Sequence, residues 1–161
     1  GALEDLRLIP DNPTPTSQGL DAIAKADFIT LGPGSWFSSV MPHLLVAKQR
    51  QALESSKAKK VIILNLDAIP NVTGDELAGS SPADHLRILR KFAPELKCDV
   101  ALLDSSIAAR SELLIELEGL AEAMGGRVFV ADLASHPGSN HHDTEKLFLT
   151  LRHIFQAEML R

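Results

Sequence analysis

The chain has 161 residues, 45% of them hydrophobic and 23% charged, with a net charge of −5. That is enough to bury a core in one domain and excludes a disordered chain, while the acidic balance excludes the basic face of a nucleic-acid binder, though not a small phosphorylated ligand held by backbone amides. Cys98 is the single cysteine, so no intrachain disulfide is possible, and the longest apolar run (VIILNL) falls far short of the ~20 residues of a membrane span.

Five short apolar runs read as strands: Leu6–Pro10, Phe28–Gly32, Lys60–Leu66, Val100–Asp104 and Arg127–Leu133. They are continuous rather than alternating, as in parallel strands buried on both faces. Segments of helical period separate or follow them: Thr16–Ala26, His43–Lys57, Ser81–Ala93, Arg110–Gly125 and His142–Leu160. Ser81 is placed to cap a helix with Pro82 at its first position, Gly125-Gly126 supplies a left-handed stop, and Asp143 precedes the last helix as a cap. The pattern predicts one α/β domain with a Rossmann-like three-layer α/β/α architecture and a mainly parallel sheet. No signal peptide is visible, and a cytoplasmic location is expected. The chain begins Gly1-Ala2 without methionine, and is expected to be part of a longer protein.

Ligands of open parallel sheets bind beyond the carboxyl ends of the strands. That rule selects the loops Gly32–Ser39, Asp67–Ser80, Asp104–Arg110 and Asp132–His142. In GPGSWFSS, Gly34 can take a positive φ and leave the amides of Gly34, Ser35 and Trp36 open to a phosphate, with hydroxyls from Ser35, Ser38 and Ser39. The same residues also suit a plain strand-to-helix turn, and the stretch is neither a P-loop nor a dinucleotide fingerprint. Trp36 and Phe37 can stack on a base or cover the core. Asn65 can hold a neighbouring loop or a ligand hydroxyl. Asp67, Asp75 and Asp84 can bind magnesium or ribose hydroxyls and His85 can donate to a phosphate, against the alternatives of an Asx-turn, a solvated acid and a helix-dipole partner. Asp104, Ser105 and Ser106 follow a buried strand. His136, His141 and His142 lack a companion cysteine and match no familiar zinc spacing, so no metal site is expected from them. No nucleophile elbow is present, and no catalytic residue is assigned.

The stretches AIAKADFITLGPGSWFSSVMPHLLV (22–46) and A..SSKAKKVIILNL (52–66), with Asp84-His85 near the start of the next helix, resemble the gluconeogenesis factor (YvcK-like) family. That family is related to the 2-phospho-L-lactate transferases (CofD-like) of deazaflavin cofactor biosynthesis. Two features depart from it: the family's opening Gly-rich turn is missing, and DAIPNVTGDELAGS replaces a shorter Thr-Gln-Pro-Gly-type loop. The resemblance implies a UDP-sugar-binding regulator of carbon metabolism and cell-wall morphogenesis, binding a ligand such as UDP-N-acetylglucosamine without an established reaction. The alternative it implies is an enzyme that transfers a phospholactyl-type group from a nucleotide-activated donor to a deazaflavin. The ligand-contacting residues implied are Gly32, Pro33, Gly34, Ser35, Trp36, Ser38, Ser39, Asn65, Asp67, Asp84, His85 and Asp104. No cofactor is assigned, and magnesium is expected only together with a preceding segment. A chain lacking that segment is expected to bind nucleotide weakly and to self-associate through its open sheet edge, as a homo-oligomer.

Overall fold

The computed structural model of the chain describes residues 7–66 and 81–160. Its centre is a four-stranded, wholly parallel sheet in the order β1 (Phe28–Leu31), β2 (Lys59–Ile63), β3 (Val100–Asp104) and β4 (Arg127–Ala131). Four of the five expected strands are therefore present and parallel. Three of them end earlier than the apolar runs do: Gly32 leaves the extended backbone of β1 at φ +80, Asn65 turns to the β1 loop, and the Leu133 amide turns to Asp104.

The fifth expected strand is corrected over its described part. Arg7–Pro10 lies outside the sheet, and Ile9 is 90% exposed. Pro10, Pro13 and Pro15 have no amide hydrogen to give a strand ladder.

The helices are α1 (Ser17–Lys25), α2 (Met41–Leu45), α3 (Ala47–Ser55), α4 (Pro82–Phe92), α5 (Ser105–Ala108), α6 (Ser111–Ala123) and α7 (Thr144–Met159). The helix expected over His43–Lys57 is split. A π-helical turn, Trp36–Val40, leads into α2, and extended backbone at Val46 separates α2 from α3. Local chemistry fixes other ends as anticipated. Ser81 is the N-cap of α4 with Pro82 following, and the Asp143 carboxylate accepts from the amides of Glu145 and Lys146 to cap α7. After α6, Gly125 takes φ +86. A side chain on Gly126 would run into the Cys98 carbonyl, so only glycine lets the chain enter β4 there.

Each crossover moves one strand in the same direction, so right-handed connections carry the intervening helices across one face. That face buries Ile62, Leu64, Ala101 and Leu103 beneath Met41, Leu44, Leu53, Leu86, Leu89 and Leu117. The opposite face buries Val61, Ile63, Val100 and Leu102 against α7, through Leu147, Leu151, Ile154 and Phe155. The Phe28 and Phe155 rings stack at 4.3 Å and extend this contact to β1. At the amino ends of the strands, the buried Glu158 carboxylate accepts from Arg127 Nη2 at 2.8 Å and lies 3.8 Å from Lys59 Nζ. α7 is thus fixed at its cap, along its apolar stripe and at its last turn. Among the described residues no helix is long and apolar enough to cross a membrane.

Candidate functional site

The carboxyl ends of all four strands lie on one edge of the sheet, as parallel pairing requires. At β1 the chain enters Gly32–Ser39 with φ +80 at Gly32 and +131 at Gly34, backbone that favours glycine at both positions. A Cβ on Gly32 would come within 2.5 Å of the Ile63 carbonyl oxygen, so the loop lies directly against β2. Above Gly34 the space is open, with Ser39 Oγ as the nearest atom at 3.8 Å from where a Cβ would sit.

Asn65 clasps this loop. The Gly34 amide donates to Asn65 Oδ1 at 2.9 Å, and Asn65 Nδ2 donates back to the Gly34 carbonyl at 2.9 Å. Of the two roles open to Asn65, holding a neighbouring loop is the one realised. The Gly34 amide is consequently committed inside the chain rather than turned to a phosphate. Ser35 Oγ accepts from the Ser38 amide at 3.4 Å, and the Ser35 carbonyl accepts from the Ser39 amide. The side chains of Ser38 and Ser39 are exposed on the loop, whereas Gly32, Pro33 and Ser35 are half-buried. No Asp or Glu occurs between Phe28 and Ala47.

Trp36 and His85 come together away from solvent. Their rings stack at 4.6 Å, and they are 1% and 4% exposed. Of the two roles open to Trp36, covering the core is the one realised, and the His85 ring is packed against it beneath the loop rather than turned outward to a phosphate. Asp84 likewise works within its helix, accepting from the Ser81 amide at 2.8 Å and from Arg87 Nη1 at 2.6 Å. Burial raises its pKa, but the Ser81 amide and Arg87 hold it below the usual carboxylate range. Asp67 and Asp75 lie outside the described residues.

At the far end of the edge, Asp104 is 2% exposed and fully engaged. Its carboxylate accepts from the Ser106 amide (2.9 Å), Ser106 Oγ (2.6 Å), the Leu133 amide (2.7 Å) and the Ala134 amide (3.1 Å). Burial alone would raise its pKa; these four donors outweigh it and hold the group ionised below its ordinary value. Asp104 therefore ties the end of β3 to the segment that follows β4. His142 pairs with Ala134 in an isolated antiparallel bridge. Burial lowers its pKa, opposed by the Asp104 charge and a hydrogen bond to the Leu64 backbone.

Beside this knot is a cavity of about 520 Å³, lined by Asp104, Ser105, Ser106, Asp132, Ser139 and Lys146 among others. Lys146 Nζ donates to Asp132 Oδ2 and to the Ala134 carbonyl, each at 2.8 Å. Sequence reasoning selected Asp104 and its loop but missed Lys146, which sits three residues beyond the Asp143 cap. A lysine in the first turn of a helix, where the dipole disfavours it, was the available signal. Among the described residues no three His, Cys, Asp or Glu side chains gather as a metal would need; His136 is exposed, with its Nδ1 3.2 Å from the Pro137 carbonyl.

The family model described as 2-phospho-L-lactate transferase CofD matches residues 2–133. A Mycobacterium tuberculosis protein carrying the gluconeogenesis-factor name is 37% identical over 151 residues, covering 94% of this chain and 43% of that protein. A gluconeogenesis factor of Halalkalibacterium halodurans is 37% identical over 97 residues, covering 60% of this chain and 27% of that protein. A crystal structure of a UPF0052 family protein from Bacillus halodurans superposes with a TM-score of 0.68 at 26% identity, covering 91% of this chain and 49% of that one. The chain thus spans less than half the length of these relatives. A matching family model over most of the chain, a shared parallel-sheet fold and gluconeogenesis factors among its relatives place it in one family: the chain belongs to the CofD-like family that includes the gluconeogenesis factors.

Proposed function

We propose that this chain forms part of a nucleotide-sugar-binding gluconeogenesis factor, a cytoplasmic, non-catalytic regulator of carbon metabolism and cell-wall morphogenesis whose ligand is a UDP-sugar such as UDP-N-acetylglucosamine. The observation that carries this reading is the Gly34–Asn65 clasp. It fixes a loop free of carboxylates at the ligand-binding edge of the sheet, with the Ser38 and Ser39 hydroxyls exposed on it. Hydroxyl donors on a preset backbone, in a stretch that carries no acidic residue of its own, suit an anionic phosphate. Because the Gly34 amide is used by the clasp, the phosphate contacts pass to the serines and to the loop beyond Gly34.

The transferase reading has one observation in its favour, the description of the matching family model. Calorimetry on the protein at its full natural length, with UDP-N-acetylglucosamine, GDP and a deazaflavin, separates the two. Binding of the UDP-sugar alone supports the regulator, and binding of the deazaflavin supports the transferase. If none of the three binds, the nucleotide-site reading is wrong. Size-exclusion chromatography with light scattering tests the accompanying proposal that the protein is a homo-oligomer, against which a clean monomer would count.

A further inference from the structure

The two ends of the carboxyl edge differ in chemistry. The β1 end carries glycines and hydroxyls with no acid between Phe28 and Ala47. The β3–β4 end holds the 520 Å³ cavity, a size suited to part of a small-molecule ligand. Its charged lining is two carboxylates, Asp104 and Asp132, against one ammonium, Lys146. Asp104 stays ionised under its four donors, and Lys146 is already paired with Asp132. The formal charge of this lining is one negative unit, which favours an uncharged group over a phosphate there.

A neutral polyol meets the opposite reception. The Asp132 side chain is 66% exposed, and a carboxylate has more acceptor positions than the single Lys146 contact uses. Lys146 has three ammonium protons, two of them engaged among the described residues. Ser105 is exposed at the rim. Acceptor, donor and hydroxyl side by side match the alternating donors and acceptors of a sugar's neighbouring hydroxyls. The spacing is also suitable. From the β1–β2 boundary to the β3–β4 boundary is two strand spacings, roughly 10 Å, about the reach of a pyrophosphate with one pyranose ring.

We infer that the cavity at the carboxyl ends of β3 and β4 is a sugar subsite: Asp132, Lys146 and Ser105 hold the uncharged, hydroxyl-bearing end of a ligand whose phosphates lie on the Gly32–Ser39 loop. This rests on the nucleotide-sugar reading and adds to it the direction in which the ligand lies. Asp104 is a positioning residue here, since it holds the wall of the cavity without an open acceptor for the sugar.

The test uses the protein at its full natural length with UDP and UDP-N-acetylglucosamine as probes. In the wild type, the sugar should improve affinity at least about tenfold over UDP, and hydrogen exchange of 132–139 should slow with UDP-N-acetylglucosamine but not with UDP. Asp132→Asn and Ser105→Ala, each close in size to the native residue, should each weaken UDP-N-acetylglucosamine by about five- to tenfold and leave UDP within twofold. If UDP binds as tightly as the UDP-sugar, or if 132–139 are unprotected, the subsite is wrong while the nucleotide reading survives. If the variants weaken both probes equally, the cavity does not select the sugar and the inference is overturned. If the wild type binds neither probe, the underlying reading fails and the subsite fails with it.

Discussion

Asn65 and Gly34 exchange two hydrogen bonds of 2.9 Å, one in each direction, between a side-chain amide and a single backbone unit. One side-chain amide thus answers both polar groups of that residue, its oxygen accepting and its nitrogen donating in one plane. Asn65→Asp keeps the shape but sets a carboxylate oxygen against the Gly34 carbonyl. It should destabilise the fold by about 1–3 kcal/mol and raise the exchange rate of the Gly34 amide, as read by denaturant titration and hydrogen exchange. An unchanged midpoint together with unchanged exchange would show that the clasp is not what holds the loop.

The Asp104 carboxylate should be among the costliest single side chains to remove. Asp104→Ala leaves the Leu133 and Ala134 amides and the Ser106 donors without their acceptor, at an expected cost of about 3–5 kcal/mol. Asp104→Asn keeps two acceptor lone pairs and should recover part of that loss. Urea denaturation of the three proteins measures both effects; equal midpoints for wild type and Asp104→Ala would exclude the role described.

Acid should lower stability in two separate stages. His142 has a folded pKa below its ordinary 6.5 because burial favours the neutral ring. As pH falls below 6.5 the unfolded chain takes up this proton before the folded one does, so stability is lost down to the folded pKa. Asp104 has a folded pKa below its ordinary 3.8, so its contribution is complete above that value and disappears as pH falls further. His142→Asn should flatten the upper stage and leave the lower one in place. A pH series of thermal melts on wild type and variant reads this directly.

Cys98 should be silent in the native state. Its thiol is fully buried, and burial, with the nearby Asp99 charge, pushes its pKa up to about 12. At pH 8 a thiol reagent should label the chain only as fast as it unfolds, and labelling should be complete in denaturant. Rapid modification without denaturant would contradict the packing.

Glu158 should matter more than a surface acid. Glu158→Ala removes the acceptor of Arg127 and the anionic neighbour of Lys59, and should cost about 2–4 kcal/mol, visible as a lower urea midpoint. Loss of less than ~0.5 kcal/mol would place it with ordinary surface pairs.

What the sequence made legible follows from the range over which each signal acts. The apolar runs of β2 and β3, the Ser81-Pro82 start and the Asp143 cap are encoded in adjacent residues, and each is found where expected. Leu6–Pro10 misled because its apolar residues outweighed, on a simple reading, the prolines that follow. The break at Val46 has no Gly or Pro to announce it. The partners that decide the site are remote: Asn65 lies 31 residues from Gly34, and the Leu133 amide lies 29 residues from Asp104. The sequence left Trp36 open between a ligand base and the core because nothing nearby in the chain reveals that the His85 ring covers it.

The unequal cover of the sheet has a mechanical corollary. One face is shared among several helices, so the loss of any one leaves neighbours still packed. The other, among the described residues, depends on α7 alone. Detachment of that helix would hydrate a whole hydrophobic cluster in one event, giving the molecule a natural first opening below its global unfolding free energy. Since Lys146 sits in the first turn of the same helix and Asp143 caps it, beside the cavity, a molecule bound there would also brace the fold's least-shared joint.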